Sequence, residues 1–107
     1  MDEARLSLKM AALADPTRRA IIKRLQQGEA TVMDLARPFA MSQPAISKHL
    51  KVLEEAGLIT RSREAQTRPC RLAPDGLSEL AVFLNDHRAM WVGALDRLDN
   101  YLQTVKE

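Results

Sequence analysis

Between Ser42 and Ile59 the chain reads SQPAISKHLKVLEEAGLI, and its apolar positions return with the period of a helix. With Ile46 as reference and an advance of about 100° per residue, Leu50 and Leu53 fall beside it in one stripe. Pro44, Lys48, Lys51 and Glu55 fall opposite, with Gln43 and Ser47 on the shoulder. This pattern predicts a helix over 43–56, capped by Ser42 or Gln43, with Pro44 in its first turn and Gly57 as its stop. Upstream, Leu6, Met10 and Leu13 share one side of a helix expected over 2–13. Asp15-Pro16 then starts a second helix, with Ile21, Ile22 and Leu25 as its apolar face and Gly28 as its end. A capping-box-like Thr31-Val-Met-Asp34 opens a very short third helix over 31–37, carrying Leu35 and Ala36 inward and limited by Pro38.

Downstream, two strands are expected at about 58–63 and 68–72, joined by Glu64-Ala65-Gln66-Thr67. Pro69 places the second of them at an edge. Pro74-Asp75-Gly76 then opens the longest helix, 75–104. In it Leu77, Leu84, Trp91, Leu98 and Val105 recur every seven residues, with Ala81, Arg88, Leu95 and Leu102 on a second line. Such a seam packs against another long helix, and in so short a chain that helix belongs to a second copy. The competing arrangement folds the helix back on its own domain. The fold class is therefore mainly α. One domain over 1–107 holds a helix-turn-helix at 31–56, a two-stranded β-wing at 58–73 and a long C-terminal dimerisation helix.

Composition narrows the class without naming it. The chain has 107 residues, 46% hydrophobic and 28% charged, which suits one globular domain. No apolar stretch approaches the roughly 18 residues of a membrane span, and the start is acidic where a signal peptide would be basic. The one cysteine, Cys70, has no internal partner, which fits a reducing cytoplasm. Net charge is only +2, but it is unevenly spread: +2 over 1–41, +3 over 42–74 and −3 over 75–107. A basic middle offers one side to a polyanion; chance scatter over a solvated surface is the plain alternative.

The stretches LADPTRRAIIKRL (13–25), MSQPAISKHLKVLEEAGLI (41–59) and RLAPDGL (71–77) resemble the ArsR/SmtB family of bacterial winged-helix repressors. REAQTRPCRL (63–72) and FLNDHRAMWVGALDRLDNYL (83–102) are similar to the subgroup without metal motifs. The resemblance covers roughly Leu6 to Leu102. It implies a homodimer built on the first and last helices, here through Leu6, Met10, Leu84, Trp91, Leu95, Leu98 and Leu102. It further implies two recognition helices in successive major grooves of an inverted repeat on double-stranded DNA, about 34–36 Å apart. The wings reach the flanking backbone or minor groove, and an effector releases the operator.

Carried onto this chain, the DNA-contacting residues are Ser42, Gln43, Pro44, Ala45, Ser47, Lys48, His49 and Lys51 on the helix, with Arg61, Arg63, Gln66, Thr67 and Arg68 on the wing. Gln43 suits an adenine edge, Ser47 a base or phosphate, and Pro44 or Ala45 a thymine methyl. Lys48 and Lys51 suit phosphate. Many relatives carry a glycine near the wing tip where this chain has Ala65, which bears on how deeply the tip inserts.

Each remaining reactive residue has two readings. His49 touches a phosphate, or packs beside the core and bonds locally. Arg18 and Arg19 reach the DNA backbone, or serve the protein surface. Asp86-His87 sits where metal-sensing relatives place ligands, but only Asp96 and Asp99 follow and no cysteine pair exists, so a buried or interface histidine is the expectation. Cys70 is a thiol sensor beside Arg68 and Arg71, or a small inward strand residue. Trp91 anchors a core or interface, or lines a ligand pocket. No cofactor and no metal are expected. The effector is a small organic ligand, a partner protein or nothing. An enzyme is excluded by the absence of a nucleophile–base spacing, a phosphate-cradling glycine loop or a paired-carboxylate motif. Two alternatives stand beside the repressor: a metal- or thiol-sensing variant, and a protein-interaction module on the same scaffold.

Overall fold

Short-range capping sets most element boundaries. The computed structural model describes residues 3–63 and 66–106, without the side chains of 89–91, 95 and 106. Its order is α1 (Glu3–Ala12), α2 (Pro16–Leu25), α3 (Val32–Ala36), a 3₁₀ turn (Arg37–Phe39), α4 (Gln43–Glu55), β1 (Ile59–Arg61), β2 (Cys70–Leu72), α5 (Pro74–Asp86) and α6 (Arg88–Lys106). Asp2, expected in the first helix, and Glu64 and Ala65, expected at the wing tip, lie outside the described residues.

Asp15 caps α2 by accepting the Arg18 backbone N–H at 3.0 Å, and Pro16 takes the position where a missing N–H does no harm. Thr31 and Asp34 close a full capping box on α3: each side chain accepts the other's backbone N–H, at 3.1 and 3.3 Å. Ser42 caps α4 through the Ala45 N–H. At its far end Gly57 adopts φ +75°, Leu58 N–H reaches the Leu53 carbonyl and Gly57 N–H the Glu54 carbonyl. This paired termination needs a left-handed residue, which is why a glycine stands there.

Ile21, Ile22 and Leu25 of α2, Leu35 of α3 and the Ile46–Leu50–Leu53 stripe of α4 bury together with Leu58, Ile59 and Cys70. The wing strands pair antiparallel, Ile59 with Leu72 and Arg61 with Cys70. The second strand is not an edge strand at Cys70, as Pro69 had suggested. Ala30 and Cys70 exchange both backbone hydrogen bonds, at 3.0 and 2.8 Å, so β2 lies between β1 and the chain entering α3. Pro69 sits one step beyond that bridge and gives up nothing there.

Three further expectations are corrected. The helix expected over 75–104 is two helices, broken at His87 (φ −109°, ψ 16°). The His87 ring nitrogen Nδ1 lies 2.9 Å from the Phe83 carbonyl and the two rings stack at 4.4 Å, so the side chain terminates α5. His87 is thus an exposed helix-ending residue in the single chain, which corrects the expectation that it is buried. Leu6, expected at a dimer interface, is covered within its own chain, whereas Met10, expected on the same face, is exposed along with Leu8. The α1 face simply turns Leu6 and Lys9 inward.

Lys9 is the buried charge that periodicity did not anticipate. It is 1% exposed and donates from Nζ to the Ala56 carbonyl at 2.7 Å, with Glu79 Oε2 at 3.8 Å. Arg5 holds the other Glu79 oxygen at 3.1 Å. Close by, α5 crosses the end of α4 so tightly that a Cβ on Gly76 would lie 1.7 Å from the Gly57 carbonyl oxygen. The first, fourth and fifth helices are therefore clamped at one point, the C-terminal end of α4.

Candidate nucleic-acid interface

With its inner stripe locked into the core, α4 has one orientation available, and Gln43, Pro44, Lys48 and Lys51 face out. Ala45 and Ser47 are half-buried on its flanks. The Ser42 hydroxyl oxygen accepts the capping N–H at 3.3 Å and keeps its own O–H to donate.

The wing folds back toward this helix. Gln43 and Ser47 of α4, Arg61 of β1 and Gln66, Thr67 and Arg68 from the returning arm line one depression of about 300 Å³. All six are among the contacts expected from the sequence. Missed were Thr31, Val32 and Met33, which form the third wall. Met33 is a half-exposed apolar side chain in the first turn of α3, and nothing in the sequence pattern marks it.

Arg63 lies apart from this depression, with Thr60, Arg61, Ser62 and Arg71 around a second one of about 290 Å³. Arg71 was also missed as a candidate. Strand alternation makes it legible, because Cys70 points in and its neighbour must point out. Arg68 adopts φ +44°, a left-handed backbone that a non-glycine residue enters only when its surroundings hold it there.

Among the described residues, Lys48, Lys51, Arg61, Arg63, Arg68 and Arg71 have no carboxylate partner. A convex helix with amide and hydroxyl groups at its amino end, flanked by a cationic arm, matches a duplex major groove and the phosphates beside it.

Other candidates are placed elsewhere. His49, named among the DNA contacts, turns away from the outer face; its Nδ1 lies 3.3 Å from Arg18 Nη1 and 3.9 Å from Asp15 Oδ2. Arg18 also donates to the Ala12 and Ala11 carbonyls, and Arg19 to Leu13, so both arginines close the end of α1. Each satisfies carbonyls that a helix terminus leaves open. The Arg18 backbone N–H, with its guanidinium and His49 nearby, holds the Asp15 carboxyl below its ordinary value.

Cys70 is fully buried, and burial pushes its thiol up despite the pull of Arg61, so it remains a protonated core residue at neutral pH. Among the described residues no three His, Cys, Asp or Glu side chains group as metal ligands. No described helix is long and apolar enough to cross a membrane.

Residues 15–61, from the α2 cap to the end of β1, match the model of the bacterial regulatory protein, arsR family. The chain is 44% identical over 84 residues to the HTH-type transcriptional regulator Rv2034 of Mycobacterium tuberculosis, covering 78% of this chain and 76% of that one. It is 44% identical over 55 residues to the transcriptional repressor SdpR of Bacillus subtilis, covering 51% of this chain and 61% of the repressor. Among solved structures it is similar to the homodimeric winged helix-turn-helix DNA-binding domain of a possible ArsR-family transcriptional regulator from Mycobacterium bovis. That likeness has a TM-score of 0.66 at 28% identity, over 78% of this chain and 81% of that one. An outward polar face on α4, a cationic wing and these likenesses agree: the chain belongs to the arsR family, whose members are DNA-binding transcriptional regulators of winged helix-turn-helix fold and not enzymes.

Proposed function

We propose that two copies of this chain pair through α1, α5 and α6 and repress transcription in the bacterial cytoplasm by binding an inverted-repeat operator. In this reading each α4 enters a major groove. Gln43, Pro44, Ala45 and Ser47 meet base edges, and Ser42, Lys48 and Lys51 meet phosphate. Arg61, Arg63, Gln66, Thr67 and Arg68 carry the wing along the flanking backbone, and Arg71 joins them. The operator lies in the protein's own upstream region, and the signal is a small organic ligand.

The observation that carries the reading is that α4 and the wing bring the polar Gln43 and Ser47 and the cationic Arg61 and Arg68 around one depression, with no carboxylate partner for either arginine among the described residues. Pairing is supported by α6, which has no buried residue among its described side chains. Val92, Leu98, Tyr101, Leu102 and Val105 are all exposed on it, as are Val82 and Leu84 on α5. A helix carrying so much open apolar surface matches an interface left uncovered in one chain. The expected partner-facing set is therefore Met10, Leu84, Leu98 and Leu102; Trp91 and Leu95 have side chains outside the description.

Sedimentation at micromolar concentration, followed by fluorescence anisotropy on the upstream region, tests the proposal. A dimer that prefers that DNA over a scrambled duplex by tenfold or more supports it. A monomer with equal affinity for both overturns it.

A further inference from the structure

A second cleft, of about 220 Å³, opens between α2 and the α3–3₁₀ segment and shares no lining residue with the proposed DNA face. One wall is Ala20, Lys23 and Arg24 along one face of α2, with Gln27 from the turn just beyond it. Its other wall is Leu35, Pro38 and Phe39. The volume is below the roughly 300–1,000 Å³ of drug-sized sites, so the occupant is small.

We propose that this cleft binds a small aromatic carboxylate. The apolar part of the lining is Ala20, Leu35, Pro38 and Phe39, and its two ring side chains suit a ring-bearing ligand. Two cations stand on the α2 side. Among the described residues neither Lys23 nor Arg24 has a carboxylate partner within 4 Å, and Arg24 Nη1 donates to the Gly28 carbonyl at 3.1 Å. The acid nearest this pair in effect is Asp34, which feels Arg24 but is committed to the Thr31 N–H and to Arg37 at 3.7 Å. An anion therefore finds uncompensated positive charge beside an apolar slot, whereas a cation meets repulsion.

The position gives such a ligand leverage. Phe39 leads through Ala40, held left-handed at φ 52°, and Met41 into the Ser42 cap of α4. A ring wedged between α2 and the 3₁₀ turn shifts the chain that delivers the recognition helix, and so weakens operator binding. This regulatory half rests on the DNA-binding reading; ligand binding itself does not.

Titration of 2-naphthoate into the ¹⁵N-labelled full chain, with 2-naphthamide as neutral isostere and naphthalen-2-ylmethanamine as cation, tests the binding half. The expected result is amide shifts at 20–27 and 35–39, with the carboxylate at least fivefold tighter than the amide and the amine weakest. Ala20→Leu, which fills the slot from a half-exposed position, should lower naphthoate affinity tenfold with an unchanged thermal melt. Lys23→Gln with Arg24→Gln should erase the preference for carboxylate over amide. Shifts elsewhere, equal affinity for all three probes, or an unaffected Ala20→Leu overturn the site. Saturating naphthoate should weaken operator binding at least fivefold in the wild type and not in Ala20→Leu. Naphthoate bound without that loss, on an operator the free protein holds, overturns the regulatory half alone.

Discussion

Replacing Lys9 by Met removes one ammonium from the clamp at the end of α4 while keeping the stem that fills its space. In the folded chain Lys9 Nζ donates to the Ala56 carbonyl at 2.7 Å and is 1% exposed. Its loss strands that carbonyl and leaves Glu79 Oε2, which has no hydrogen bond of its own, beside a thioether. A hydrogen bond involving a charged group contributes about 1.5–3 kcal/mol, and a buried acceptor left open costs a similar amount. Against this, the ammonium no longer has to be desolvated, which offsets part of the loss. The net expectation is about 2 kcal/mol of destabilisation, or a melting point lower by about 10 °C in a chain of this size.

Urea unfolding followed by circular dichroism measures it, at one fixed protein concentration, because association shifts apparent stability. Glu79→Gln should be milder alone. In the Lys9→Met background it should recover part of the loss, giving a coupling of about 1 kcal/mol in the double-mutant cycle. A Lys9→Met variant within about 0.5 kcal/mol of wild type, with an additive cycle, would refute the clamp.

Three other outcomes follow from the same structure. Lys51→Ala should flatten the log–log salt dependence of operator binding by about 0.9 per recognition helix, with sequence preference unchanged; an unaltered slope removes Lys51 from the phosphate contacts. Leu98→Glu with Leu102→Glu should give a folded monomer by sedimentation, and a persisting dimer would place the interface elsewhere. Acid should also weaken the fold in a defined window. Asp15 is held below its ordinary 3.8 mainly by the Arg18 backbone N–H, and Asp34 mainly by that of Thr31. A depressed carboxyl stabilises the fold above its unfolded value and loses that contribution as pH falls through the folded one. Stability should therefore drop as pH passes below 3.8, and less steeply in the Asp15→Asn, Asp34→Asn double variant; superimposable profiles would count against these caps as the source.

What the sequence disclosed was what neighbours in the chain decide among themselves. The Asp15-Pro16 start, the Thr31–Asp34 capping box, the Gly57 stop and the Ile46–Leu50–Leu53 stripe are local geometry, readable at three- or four-residue range. The outward set on α4 followed directly, since burying one face fixes the other. The helix break at His87 escaped because a seven-residue repeat counts residues and keeps counting across a kink. It also escaped because His87 ends α5 with its side chain, not with the usual glycine or proline.

Arg18 and Arg19, open between the DNA backbone and the protein surface in the sequence, and Lys9, which no periodicity marks, meet helix carbonyls only in the packed chain. The Ala30–Cys70 bridge, which makes β2 central at that residue, joins positions forty residues apart in sequence and leaves no periodic trace. Thr31, Val32 and Met33 enter the candidate site only because α3 lies alongside α4 beneath the wing.

The central claim, a dimer offering two outward α4 helices to one face of a duplex, is tested most directly by hydroxyl-radical footprinting on DNA selected by the protein from a random pool. The account predicts two symmetric protected patches over an inverted repeat, their centres about one helical turn apart, or roughly 10–10.5 base pairs. A single unpaired patch, or uniform weak protection with no enriched repeat, would contradict it.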